Sequence, residues 1–376
     1  IRDIGVTGVQ TCALPISLAA GTGGLESFGF TAGAAPPPEA AAQPGSLDVT
    51  WQGRMDFDGL TARFIDRVVT ASGGTNVQAG SLDVVFTQPF EFSAGRQQSA
   101  ARPDVARIAC GSGVRIKSES AARDGGKSLE QLFVRDLVID RTTGNVTGTG
   151  PGRLASTRFG QPPAMAMPAG PQPPGAAAAQ PAPSRPDELT YLGVDFQRGM
   201  RGNINRRVME FHQRVEAIWG PVATWGDTLD PHAAAGLPPR VVTISSDVLG
   251  VGQAPPAPGQ KRSSIELAAG GNVLVEGESF TARSARLTWS EVKDLLVFEG
   301  DGRSDAQLYR QAKAGAATSS ASAGKILYWR GLNRVDVDDA RYLDLDQLGA
   351  GAAGLRAPGF GGSAPAKPVS RPVPGT

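Results

Sequence analysis

Residues 268–302 read AAGGNVLVEGESFTARSARLTWSEVKDLLVFEGDG. Apolar side chains recur there at every second position, Val273 with Val275 and Leu295 with Val297, a period that sets them on one face of an extended chain. Gly270-Gly271-Asn272 supplies a turn before Val273, because Gly and Asn enter left-handed backbone at low cost. The pattern runs outward in both directions, to Ile265 and Leu267 before it and to Val335 and Val337 after it. Further back, Leu82, Val84 and Phe86, then Val114 and Ile116, Leu132 and Val134, and Leu137 and Ile139 alternate in the same way. Thr142-Thr143-Gly144-Asn145 marks a tight turn among them. Helical periodicity is nearly absent, so the expected fold class is all-β, built from short antiparallel strands.

Composition bounds the rest. The 376 residues include 49 Gly and 29 Pro, about a fifth of the chain, against an average share of roughly 12%. Much of that excess sits in residues 18–45, 159–187 and 347–376, Pro/Ala/Gly stretches that bury too little apolar area to offset chain entropy and read as disordered linkers and tail. Two patterned blocks remain, 46–158 and 188–346. Lys plus Arg number 37 and Asp plus Glu 36, a formal charge of +1, so the positive field that gathers nucleic acid is missing. Two His and two Cys exclude most zinc sites, haem ligation and disulfide scaffolds, and neither a cofactor nor a metal is expected. Residues 1–17, IRDIGVTGVQTCALPIS, resemble the in-frame translation of a sequencing-library adapter and are set aside from fold reasoning. Cys12 goes with them and leaves Cys110 as the remaining thiol.

The two blocks resemble each other in order. Val49-Thr50-Trp51-Gln52 answers to Val194-Asp195-Phe196-Gln197, and Phe64-Ile65-Asp66-Arg67-Val68 to Phe211-His212-Gln213-Arg214-Val215. Ile108 to Val114 matches Leu267 to Val273, Arg135 to Ile139 matches Lys293 to Val297, and Gly150-Pro151-Gly152-Arg153 matches Gly300-Asp301-Gly302-Arg303. A duplicated β-module follows.

A module of this kind, with an F-x-x-x-V strand, apolar strand pairs, an A-x-G-x-V-x-I/V strand and a closing G-x-G, resembles the organic-solvent-tolerance (OstA/LptA-like) family. The stretches that carry the likeness are Phe64 to Val68 with Ala109 to Ile116, and above all Ala268 to Gly302. The resemblance implies two antiparallel β-jelly-roll or β-taco modules, placement in the periplasm or cell envelope, and lipopolysaccharide or a similar amphiphile as partner. The chain departs from the family's dedicated carriers, which are short single modules with few linkers.

The physical counterpart is an open roll whose inward row forms a groove, where each buried acyl CH₂ contributes roughly 0.8 kcal/mol. That row is expected to hold Phe64, Val68, Leu82, Val84, Phe86, Val114, Ile116, Leu132 and Val134 in the first module. In the second it holds Phe211, Val215, Leu267, Val273, Val275, Leu287, Leu295 and Val297. A closed core of the same residues is the alternative. Arg198, Arg201, Arg206 and Arg207 form the one basic cluster, offering phosphate contacts at the mouth of a groove or simply a solvated face.

Chemistry-bearing motifs are sparse. Gly148 to Gly152 contains Pro151 and precedes no helix, so it reads as a turn rather than a phosphate cradle. Ser322-Ala323-Gly324-Lys325 matches S-x-x-K without its companion motifs. Glu299, Asp301 and Asp305 read as a solvated turn rather than a calcium site. Asp336, Asp338 and Asp339 fall outside the apolar face of a strand, His212 lies in a strand and His232 in a loop without a nucleophile partner, and Trp219 and Trp225 read as turn-fixing aromatics rather than a sugar platform. The expected function is a non-catalytic envelope protein that binds or transports an amphiphile. The alternative is a scaffold assembled by β-strand addition between edges of jelly-roll modules.

Overall fold

The computed structural model describes residues 10–18, 45–72, 74–89, 104–121, 127–159, 189–233, 236–254, 264–278, 280–290, 293, 295–311, 318–329 and 334–344. Most of the three expected linker stretches lies outside these residues. No helix occurs among the described residues, and every strand pairing is antiparallel.

In the first half the strands are β1 (Gln10–Leu18), β2 (Gly45–Trp51), β3 (Met55–Phe57), β4 (Thr61–Ser72), β5 (Thr75–Phe86), β6 (Val105–Gly111), β7 (Val114–Ala121), β8 (Lys127–Val134), β9 (Asp136–Asp140), β10 (Asn145–Thr149) and β11 (Gly152–Phe159). The second half holds β12 (Leu189–Phe196), β13 (Gly199–Asn203), β14 (Val208–Val222), β15 (Val242–Ala254), β16 (Ser264–Gly277), β17 (Phe280–Ser290), β18 (Leu295–Glu299), β19 (Ala306–Gln311), β20 (Thr318–Trp329) and β21 (Arg334–Asp344).

These strands build two walls. The first runs through β2, the end of β4, the start of β5, β7, β8, β11, β12 and the end of β14, and continues through β15, β16, β17 and β19 to β20. The second runs through β3, the other halves of β4 and β5, β6, β9, β10, β13, the start of β14, the other halves of β15, β16 and β17, and then β18 and β20. Because β5 and β14 each belong to both walls, the ten strands β5, β6, β9, β10, β13, β14, β12, β11, β8 and β7 close into a ring.

The corner between the walls has a sequence cause. Asp66 and Arg67 (φ 71° and 46°), Gln213 and Arg214 (67° and 48°), and Gly271 and Asn272 (76° and 50°) are left-handed pairs inside β4, β14 and β16, and Ser112 and Gly113 (64° and 86°) take the same form between β6 and β7. The pairs inside strands bulge one chain against its neighbour, between Ile65 and Val68, His212 and Val215, and Gly270 and Val273, and bulges turn strands from one sheet into another. Gly270-Gly271-Asn272 is therefore no turn between strands, as expected above, but the bend inside β16.

The bends make the repeat visible. Trp51 packs on Phe64 at 5.0 Å between ring centroids, and Phe196 on Phe211 at 5.3 Å, the same aromatic pair in each copy. Phe64 stands opposite Met55, Phe211 opposite Met200 and Val337 opposite Ile326, so β20 and β21 open a third copy, β20 in the place of β12 and β13 and β21 in that of β14. One proposed match shifts. Leu137 pairs with Cys110 and Leu287 with Ala269, so Arg135 to Ile139 corresponds to residues 285–289 rather than to 293–297, and β18 takes the place of β10.

The copies are not separate beads. β11 of the first lies along β12 of the second from Gly152↔Phe196 to Phe159↔Leu189, and a single apolar core runs from Val49 to Val337. Gln10–Leu18, all but its last residue within the stretch that reads as adapter, forms β1 along the edge of β2.

Candidate functional site

The inward row of both copies is filled. Phe64, Val68, Leu82, Val84, Phe86, Val114, Ile116, Leu132, Val134, Phe211, Val215, Val273, Val275 and Leu287 are all buried within one core. They meet one another across the walls, which is the closed-core alternative and not an open groove. Leu267 is half-buried and packs against the edge of that core.

Leu295 and Val297 face the other way. In β18 the inward residues are Leu296 and Phe298, with 3% and 0% exposure, and this one-position difference sends Leu295 and Val297 to the outer face. Four apolar residues in a row, Leu295-Leu296-Val297-Phe298, offer no period by which sequence can tell the faces apart. The misplaced pair is informative, because it lines a cleft of about 780 Å³ on the outside of the second wall. Its floor is the outer row Gly250, Gly252 and Ala268, whose small side chains leave the sheet backbone uncovered. Leu295 and Val297 form one flank and Val208, 44% exposed, the other. Lys293, Glu266, Arg201 and Glu210 stand at the rim. The volume lies in the range of small-molecule sites, roughly 300–1,000 Å³.

Of the four arginines, Arg201 alone reaches the cleft, and its Nη2 donates to Glu210 Oε1 at 2.8 Å. Arg198 sits at the corner beside Gly150, and Arg206 and Arg207 lie in the turn after β13 at the far end of the same wall. The structure does not gather them into one phosphate site. His212 Nε2 lies 3.1 Å from Glu210 Oε1.

A second charged group was not legible in the sequence. Arg153, Asp195 and Glu216 occupy one row across β11, β12 and β14 on the outside of the first wall. His232 comes over them from the loop after β14 and places Nε2 at 2.9 Å from Glu216 Oε2. Arg153 Nη2 donates to Tyr191 Oη at 2.9 Å and Nη1 lies 3.7 Å from Asp195 Oδ2. Burial raises the Asp195 carboxyl above its ordinary range against the lowering pull of Arg153. No spacing links Glu216 to His232, since a loop brings them together; both are substantially exposed, and such a pair contributes little, about 0–1 kcal/mol.

The remaining motifs take structural places. Asp301 Oδ1 accepts the N–H groups of Arg303 (2.9 Å) and Ser304 (2.8 Å), and those bonds hold its carboxyl below the usual range. Ser322 and Lys325 both lie within β20, and Lys325 Nζ is 2.8 Å from Glu299. Trp219 is buried in the core, while Trp225 is half-buried in the loop. Among the described residues, no three His, Cys, Asp or Glu side chains are placed to hold a metal. Cys110 is buried, and that burial pushes its thiol up to about 12.

No protein-family model matches the chain, and no curated protein matches it.

Proposed function

We propose that the chain is a non-catalytic scaffold of the cell envelope whose sheet walls are lengthened by strand addition to neighbouring jelly-roll modules. The observation that carries this reading is the pair of bare edges. Among the described residues β3 pairs with β4 alone and β21 with β20 alone, while the walls between them run unbroken through two copies of one unit. An edge strand presents a row of backbone N–H and C=O groups ready to pair with another chain. The edge of β2 already takes such a strand, since β1 lies along it in a segment that reads as foreign to the fold. The envelope location rests on the OstA/LptA-like resemblance.

Cysteine pairing tests it. Asp56 on β3 and Asp338 on β21 both point outward and are solvent-accessible. In a Cys12→Ser background, Asp56→Cys with Asp338→Cys in one chain is expected to give a ladder of oxidised oligomers, and either change alone at most a dimer. The buried Cys110 adds little background, because the thiolate is the reactive form. Monomer at every concentration overturns the proposal.

The outer cleft favours a second reading, in which lipopolysaccharide or a similar amphiphile is held against the outside of the second wall. Native mass spectrometry with lipid A is then expected to show bound lipid on the parent chain and none on Val297→Asp. An apo mass for the parent overturns this reading and leaves the scaffold standing.

A further inference from the structure

The two copies differ at one connection. In the first, Ser72 at the end of β4 pairs directly with Thr75 at the start of β5. At the same place in the second copy, residues 223–241 intervene between β14 and β15. The described residues of this insertion, 223–233 and 236–241, are held in a fixed form. Asp227 Oδ2 accepts the N–H of Ala223 (3.1 Å) and of Thr224 (2.8 Å), and Asp230 Oδ1 accepts the N–H of His232 (2.9 Å). Such turns hold a loop by its own backbone.

The insertion folds back over the outside of the first wall at the seam where β11 meets β12. Leu229, Leu237 and Val241 pack there on Tyr191 and Ile218, both 1% exposed on a face that otherwise meets solvent. The first copy supplies the control: Ala71, at the position of Ile218, is exposed. The fit is close, since a Cβ on Gly220 would stand 2.6 Å from Val241 Cγ2. Ala155 of β11 packs against the same cluster, so the insertion bears on both sides of the seam.

We infer that the described residues of this insertion, 223–233 and 236–241, form a clasp that locks the second copy onto the first along the seam where β11, which ends at Phe159, pairs with β12, which begins at Leu189. The seam carries this role because no short covalent turn ties β11 to β12, in contrast to the turn between β9 and β10, where Asp140 Oδ1 accepts the Thr143 N–H at 2.9 Å.

A cut in the full-length chain tests the clasp. A protease site placed within residues 160–188 is cleaved after folding, and the two pieces are followed by size-exclusion chromatography and by their rate of separation in mild urea. With the clasp intact they are expected to co-elute as one particle. Replacing residues 223–241 by Gly-Gly is expected to speed separation by about tenfold or more, since weakened interfaces act chiefly through dissociation. Leu229→Ser with Leu237→Ser keeps the length of the loop and removes its apolar grip, and is expected to behave like the replacement even where the replacement itself fails to fold. Separation of the parent pieces on cleavage, or equal separation rates with and without Leu229 and Leu237, overturns the inference. Neither outcome depends on whether β3 and β21 take further strands.

Discussion

Glu130 is the residue least at home in this fold. It lies in β8 between Ser118 and Ser156 on the neighbouring strands, faces inward with 6% exposure, and leaves Oε1 without a hydrogen-bond partner. The second copy fills the same position with Phe280 and its neighbourhood with Trp219 and Val242, so the first copy has exchanged an apolar plug for hydroxyls and one carboxyl. Burial pushes this carboxyl from 4.5 up to about 7, against the opposing pull of Arg158. The sign follows from linkage. The folded chain holds the proton more tightly than the unfolded chain, so stability is greatest below pH 4.5, falls as the pH rises towards 7, and levels off above it. The shift corresponds to about 3 kcal/mol at 1.36 kcal/mol per unit. Glu130→Gln is expected to flatten this part of the stability curve in urea titrations at pH 5 and pH 8. An unchanged slope would show that Glu130 does not carry it.

At the scale of elements, most of the architecture was legible, for a physical reason. Where a polar residue separates two apolar ones, as Asp83 does Leu82 and Val84 or Arg115 does Val114 and Ile116, period two assigns the inner residues correctly, and those side chains are buried. Where both faces are apolar the period vanishes, and β18 was read one position out of phase. Left-handed pairs were legible as breaks but not as corners, because Gly-Asn chemistry serves a reversal and a bulge alike. The outer cleft had no sequence signal at all, since it is made by what Gly250, Gly252 and Ala268 lack. The phase of β18 gives a sharp comparison. Leu296→Asp puts a carboxylate into the core opposite Tyr328 and Trp289 and is expected to cost about 3 kcal/mol or more. Leu295→Asp, on the cleft wall, is expected to stay within about 1 kcal/mol. Thermal denaturation of the two variants decides it, and equal losses would overturn the assignment of faces.

At the scale of the molecule, the sequence reads as two modules on tethers, and the structure answers with one body. The difference arises from pairing, which composition does not encode. The Pro/Ala/Gly composition of residues 160–188 carries no information on whether the strands before and after it, β11 and β12, lie side by side. Since they do, no plane separates the copies: β14 pairs with β12 and β13 on one side and β15 on the other, and Phe196 and Phe211 pack into the same core as Trp51 and Phe64. Solenoid-like arrays of this kind stay cooperative only while the interface between repeats outweighs the instability of each repeat alone. Here the interface includes a full strand pair, a shared core and the 223–241 loop, so unfolding is expected as one transition. Calorimetry should give equal calorimetric and van't Hoff enthalpies. Phe64→Ala, a cavity of about 3–5 kcal/mol in the first copy alone, should lower the single midpoint for the fluorescence of Trp219 and Trp289 in the second. Two resolved transitions, with the second untouched by Phe64→Ala, would restore the picture of independent modules and remove the continuity on which strand addition at the two ends depends.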